Sequence, residues 1–405
     1  MRRILAAAGV AALGLTGCAT EPLIPPQYRT AEPALRASQP TSAADAETTP
    51  KELISPEAAP VDECRALAEE LSLEQQVGQL FMVGVDTGGL DPTTRSAISD
   101  SRIGSVVLLG NTTAGTSQLR KLTAELGSLG TAQLPLLVAV DQEGGAVQRL
   151  KGAGFDAIPP ARDQGALPPS ELREAAAGWA EELHAAGIRY DLAPVADVVP
   201  EDKRLSNEPI GKLKRDFGAE PEAVSDSVVG FIEGMRSAGI ATSVKHFPGL
   251  GEVTTNTDYG AAQDTDTTRD SRNLEPFRAA VEAGVDSVMV SSAVFEEIDP
   301  DNEGVFSQTV ITDLLRGELG FDGVVIADDL GAAAAVKAIK PGERAVRFFD
   351  AGGDLVINAN PSIMRAMVTA TLEAAGDDES FAAQVLDSTS RVLRLKAAVG
   401  LVDCA

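Results

Sequence analysis

The chain has 405 residues, 44% hydrophobic and 23% charged, which is enough for a sizeable core and one large domain. Its formal net charge is −26, the opposite of the basic face that a nucleic-acid partner requires. Only two histidines and three cysteines occur, in none of the spacings that hold a protein-bound metal.

Arg2 and Arg3 precede an apolar run from Ile4 to Leu15, too short for a stable membrane span, that ends in Leu15-Thr16-Gly17-Cys18. Residues 1–18 therefore read as a signal peptide with a lipobox, and Cys18 as a lipidated mature N-terminus. Residues 19–60 are rich in Pro, Ala, Ser, Thr and Glu, lack an apolar period and read as a disordered tether. No later apolar run is long and charge-free enough for a bilayer span. The body is thus expected to be soluble, outside the cytoplasm, and held to the outer face of the cell membrane only by its lipid. The two remaining cysteines, Cys64 and Cys404, sit at the ends of the folded part, and in an oxidising compartment a disulfide between them is expected.

From residue 61 to 405 the chain reads as one domain. Ser72-Leu73-Glu74-Gln75 has the spacing of a capping box and opens a helix. Strand-like apolar runs then alternate with amphipathic stretches. The runs are Phe81–Val85, Gly104–Leu109, Leu136–Val140, Tyr190–Val195, Ala241–Lys245, Ser287–Val290, Gly323–Ala327 and Asp354–Ile357. Between them lie helical patterns such as 117–126, 170–186, 221–238, 274–283 and 308–319. Ala-Gly pairs at 186–187, 238–239, 283–284 and 351–352 mark helix ends before strands. Continuous apolar strands imply burial on both faces, as in parallel sheets covered by helices. Eight such units predict an α/β fold, a (β/α)8 TIM-type barrel, closed by two helices over residues 361–400.

In such a barrel the C-terminal strand ends form the active face. They carry Asp141-Gln142-Glu143-Gly144-Gly145 with Gln148-Arg149, Ala193-Pro194-Val195-Ala196-Asp197, Lys245-His246, Ser291-Ser292, Asp328-Asp329, and Asn358 with Asn360. Carboxylates, a Lys, an Arg and a His at one mouth suit a polyhydroxy small molecule, each hydroxyl taking charge-assisted hydrogen bonds. His184 falls mid-helix and reads as a surface or packing residue.

These motifs, followed by Lys245-His246-Phe247-Pro248-Gly249 and Val325-Ile326-Ala327-Asp328-Asp329-Leu330, resemble glycoside hydrolase family 3, specifically its single-domain β-N-acetylglucosaminidase branch, over roughly residues 65–400. The resemblance implies a retaining exo-acting glycosidase for GlcNAc-containing cell-wall oligosaccharides, with no cofactor or metal and a monomeric state. It implies Asp328 as the nucleophile and Asp141, Arg149, Lys245 and His246 as sugar-binding residues. Arg215, in Arg215-Asp216-Phe217-Gly218, resembles a further substrate-binding Arg, although two extra residues separate it from Ile210-Gly211. A β-glucosidase or glycoside phosphorylase of the same family, and a sugar-binding lipoprotein without turnover, are the competing readings.

One departure matters. The branch reads Lys-His-Phe-Pro-Gly-His-Gly-Asp-Thr-x-x-Asp-Ser-His, with the last His as acid/base. Here the second His is Leu250, and the closing triplet aligns with Asn256-Thr257-Asp258. Asp258 is the expected acid/base, since a carboxyl of raised pKa is the usual glycosidase donor; Glu252 is the alternative on the same loop.

Overall fold

The computed structural model describes residues 61–404. The proposed signal peptide, Cys18 and tether lie outside the described residues.

Helix α1 (Val61–Glu69) leads to α2 (Leu73–Gln79), whose N-cap Ser72 accepts from the Gln75 amide while the Gln75 side chain accepts from the Ser72 amide, the capping box expected from sequence. The barrel strands follow: β1 (Phe81–Asp86), β2 (Ser105–Leu109), β3 (Leu137–Val140), β4 (Tyr190–Asp191), β5 (Ala241–Phe247), β6 (Ser287–Val290), β7 (Val324–Ala327) and β8 (Val356–Asn358). Crossovers are made by α3 (Pro92–Asp100), α4 (Gly115–Gly127), α5 (Pro169–Ala185), α6 (Pro221–Ser237), α7 (Glu275–Glu282), α8 (Thr309–Glu318, with π-type hydrogen bonding) and α9 (Pro341–Asp350). Helices α10 (Met364–Asp377) and α11 (Glu379–Ala398) close the domain.

The strands pair in parallel and in sequence order, and β1 also pairs with β8. The ring closes where Ile326 bridges Leu355 and the Ala327 amide donates to the Leu355 carbonyl at 2.9 Å. The chain is thus a (β/α)8 TIM-type barrel. Strands β3, β5, β6, β7 and β8 are buried along their whole length, as the unbroken apolar runs require. Gly187 and Gly239 stop α5 and α6 in the left-handed region, at φ 85° and 74°, where a Cβ would be strained.

The fourth strand is shorter than its apolar run. Regular pairing ends at Asp191 because Pro194 has no amide to give the ladder. Its carbonyl still accepts from the Lys245 amide at 3.1 Å, and the Ala196 amide donates to the Lys245 carbonyl at 2.6 Å, so β5 stays seated on this irregular stretch.

Above the barrel a small apolar core of Val195, Val199, Ile210, Leu250, Val253, Ala293 and Phe295 holds the mouth loops. At the opposite end α1 packs on α11, and Cys64 and Cys404 are joined by a disulfide with a Cα–Cα distance of 4.7 Å, 340 residues apart. In the chain-entropy model a closure of that span contributes on the order of 5 kcal/mol by restricting the unfolded chain. No helix among the described residues is long and apolar enough to cross a membrane.

Lys396 of α11 is fully buried near this end, donating to the Gln79 Oε1 at 2.6 Å and the Pro135 carbonyl at 2.9 Å, and burial pulls its ammonium down to about 7. Between that pH and the ordinary lysine value the unfolded chain binds a proton that the folded chain lacks, so this group makes stability rise with pH. Lys396→Met should therefore reduce the slope of unfolding free energy between pH 7 and 10 by up to about 1.4 kcal/mol per pH unit, read by denaturant titration at each pH. An unchanged slope would mean that the ammonium stays charged in the folded protein.

Candidate active site

The carboxyl ends of the strands surround one cavity of about 440 Å³. Asp141, Arg149, Arg215, Lys245, His246, Asp258 and Asp328, all named from sequence, line it. Ser291, Ser292, Asn358 and Asn360 do not. Ser291 Oγ accepts from the Ala293 amide and Asn358 Oδ1 from the Asn360 amide, so both shape turns behind the site.

The floor is an ionic chain. Lys245, delivered by β5, is almost fully buried and donates to Asp141 Oδ1 at 2.6 Å and lies 2.7 Å from Glu143 Oε1. Glu143 in turn holds Arg215 through two parallel bonds, Nε to Oε2 at 2.8 Å and Nη2 to Oε1 at 2.7 Å. Burial alone would raise the Glu143 carboxyl, but Arg215 and Lys245 hold it well below the ordinary range. Burial would likewise lower Lys245, and Asp141 and Glu143 overcome it and push the ammonium up. Glu143, Lys245 and Arg215 are thus charged across the physiological range. Asp216, next to Arg215, is fully buried and takes two bonds from Arg162, which fixes the loop that carries Arg215. Arg149 Nε is buried without a protein partner, a donor left for whatever occupies the cavity.

His246 is oriented from behind. Asp197 Oδ2 lies 2.8 Å from His246 Nδ1, and Asp197 Oδ1 accepts from the His246 amide at 3.1 Å and the Leu250 amide at 2.8 Å. A carboxylate only accepts, so Nδ1 carries the proton and Nε2 is the free ring nitrogen. Gly251 then passes so close to Val198 that a Cβ would fall 1.7 Å from its carbonyl oxygen, which makes the second glycine of the motif a steric requirement.

Asp328 follows β7, with its Oδ1 accepting from the Asp329 amide at 2.8 Å. Burial raises its carboxyl, His246 opposes this and the Asp258 charge adds to it. Asp329 also borders the cavity, yet its oxygens accept from the amides of Gly331, Ala332 and Ala359 at 2.8–2.9 Å. It ties the loop after β7 to the end of β8.

Asp258 sits exposed on the loop after β5, in a turn set by Asn256, whose Oδ1 accepts from the Asp258 amide at 2.9 Å. The carbonyls of Thr257 and Asp258 accept from Ala335 and Ala334 on the loop after β7, so the turn rests against the segment carrying Asp328. Glu252, the alternative acid/base, is drawn elsewhere: it pairs with Lys203 at 2.5 Å, takes a bond from Asn273, and does not line the cavity. Leu250, at the position of the family's histidine, is buried in the small apolar core.

Sequence reading gave no role to Glu143 and Asp197, although both lie inside the quoted motifs. Their signal is chemical: a carboxylate buried beside a cationic strand end must be paired. Asp191 differs from both: it is fully buried at the end of β4 without an ion-pair partner among the described residues, its Oδ1 accepts from the Gln142 amide, and burial pushes it up to about 8.

A barrel mouth with a buried cationic floor and two carboxyls on separate loops defines a carbohydrate-processing site of the glycoside hydrolase type. The Glycosyl hydrolase family 3 N terminal domain matches residues 72–395. A beta-hexosaminidase of Stenotrophomonas maltophilia (strain K279a) is 34% identical over 294 residues, covering 70% of this chain and 84% of that protein. The solved beta-N-acetylhexosaminidase of Beutenbergia cavernae DSM 12333 superposes with a TM-score of 0.79 at 47% identity, covering 82% of this chain and 99% of the other. A family 3 beta-N-acetylglucosaminidase from Paenibacillus sp. str. FPU-7 gives 0.74 at 31% identity, covering 82% of this chain and 63% of that one. The chain belongs to glycosyl hydrolase family 3. It is a glycosidase that hydrolyses O-glycosyl bonds.

Glu143→Gln should leave two buried cations short of a partner. Thermal or denaturant unfolding should show a loss of roughly 3–5 kcal/mol, and KM should rise more than kcat falls, because Arg215 and Lys245 lose their positions. A variant as stable as the parent would show that Glu143 does not hold the floor together.

Proposed function

We propose that the protein is a retaining exo-β-N-acetylglucosaminidase that releases terminal GlcNAc from cell-wall peptidoglycan fragments, tethered outside the cytoplasm by a lipid on Cys18. The observation that carries the reading is that Asp328 and Asp258, from the loops after β7 and β5, border one cavity. The hexosaminidase names of the relatives support the choice of glycan. The signal-like residues 1–18 support the location.

In this mechanism ionised Asp328 attacks the anomeric carbon as Asp258 gives its proton to the departing glycosidic oxygen. Asp258 then takes a proton from water, whose oxygen displaces Asp328 from the same carbon and regenerates the enzyme. Lys245, Asp141, Arg149, Arg215 and His246 hold the sugar hydroxyls. Lys245, Asp141 and Arg215 are paired and His246 is oriented by Asp197 before substrate arrives, so little reorganisation is left for the transition state.

The test is turnover of nitrophenyl β-GlcNAc and the corresponding β-glucoside, with and without phosphate. GlcNAc should be released from the first, independently of phosphate. Binding of GlcNAc with no turnover of either glycoside would make the protein a sugar-binding one, and glycosyl phosphate as product would make it a phosphorylase. Asp328→Asn should abolish formation of the glycosyl-enzyme. Asp258→Ala should slow substrates with poor leaving groups by about 10²–10⁴-fold, and activated aryl glycosides far less. Equal losses on both substrate types would remove Asp258 from the acid/base role.

The pH profile gives an independent check. Because Asp328 must be ionised and its carboxyl is raised, the acid limb of kcat/KM should lie above the ordinary aspartate value of about 3.9. Asp258→Asn leaves no catalytic proton to be lost and should remove the alkaline limb on an aryl glycoside; an unchanged alkaline limb would mean that Asp258 is not the donor.

A further inference from the structure

Large apolar side chains left in water are confined to one place in this barrel. Among the described residues they are Leu205, Leu213 and Tyr259, at 87%, 41% and 83% exposure. All three lie on the loops that follow β4 and β5, and Leu213 and Tyr259 border the catalytic cavity. Leu213 ends a short 3-10 turn, Gly211–Leu213, capped by Lys214 in the left-handed region at φ 56°. Tyr259 is the residue after Asp258, and its amide donates to the Asn256 carbonyl at 3.0 Å, the same turn that sets Asp258. The charged groups line the floor and the apolar pair stands at the mouth.

We propose that Tyr259 and Leu213 form the aglycone subsite, which takes the leaving-group sugar as a pyranose ring with its C–H face against the tyrosine ring. This rests on the glycosidase reading of Asp258. The group that protonates the glycosidic oxygen must stand at the junction between the cleaved sugar and its leaving group. With the cleaved sugar on the charged floor, the leaving group extends outward past Asp258, and the next residue along the chain is Tyr259. A pyranose presents an apolar C–H face that its hydroxyls do not cover, and a planar aromatic side chain covers such a face at little conformational cost. Leu213, on the other loop, supplies a second apolar contact. The subsite selects for an aglycone that is itself a sugar, over a small or charged alcohol.

Two substrates that share the cleaved sugar separate this subsite from the chemistry. N-acetyl-β-glucosaminyl fluoride has a single atom as leaving group, whereas N,N′-diacetylchitobiose has a second pyranose. In the full-length protein Tyr259→Ala and Leu213→Ala should each lower kcat/KM on the disaccharide about tenfold more than on the fluoride. Tyr259→Phe should retain the preference of the parent, because the ring face and not the hydroxyl makes the contact. Equal losses on both substrates, or no loss on the disaccharide, would overturn the aglycone subsite while leaving the hydrolase intact. Failure of the unaltered protein to turn over either substrate would instead remove the N-acetylglucosaminidase reading, and the subsite with it. Unfolding midpoints matching the parent would establish that the exposed substitutions leave the fold unchanged.

Discussion

The site depends on a buried ammonium. Taking Lys245 out of water costs several kcal/mol, and the attraction of close carboxylates offsets that cost only with good geometry. Asp141 and Glu143 supply it, and Glu143 needs Arg215 as its own second partner. The chain of charges links the end of β3, the end of β5 and the loop after β4, so its members meet only where these three adjacent strands pair. A polar ligand arriving here meets donors and acceptors already fixed by one another.

The two carboxyls proposed to carry the chemistry are held very differently. Asp328 follows a strand buried along its whole length, and its neighbour Asp329 is tied by three backbone amides. Asp258 rides an exposed turn whose links to the rest of the site are backbone bonds to Ala334 and Ala335. A nucleophile must sit in line with a fixed carbon, whereas a proton donor has to serve first a departing oxygen and then a water. Between them, Asp197 anchors His246 and the start of the loop by polar bonds, and Leu250 anchors it by apolar packing.

The architecture was legible because its signals are local. Apolar runs of strand length, an Ala-Gly pair at the end of several helices, and a capping box at Ser72 each follow from a few adjacent residues. The cavity's charged residues were legible too, because they fall at strand ends inside recognisable motifs. What the sequence concealed is pairing at a distance. Asp197 and His246 are 49 residues apart, and Arg215 and Glu143 are 72 apart. Nothing near either partner says which charge will meet which. Asp258 was the expected donor and Glu252 the alternative; the neighbouring Lys203 and Asn273 draw Glu252 away from the cavity, and neither is near it in sequence. The premature end of β4 was foreshadowed by Pro194, whose missing amide counts only once its position in the ladder is known.

The bond between Cys64 and Cys404 makes the domain a covalent ring. The mouth loops are where an exposed chain is open to cleavage, and in a linear barrel one cut would give two pieces held only by hydrogen bonds and packing. Here any single cut between the two cysteines opens the ring into one connected molecule. The pieces stay at high effective concentration and lie next to each other in the barrel. A nicked domain therefore keeps its mass until it is reduced, and intactness of this protein has to be judged under reducing conditions.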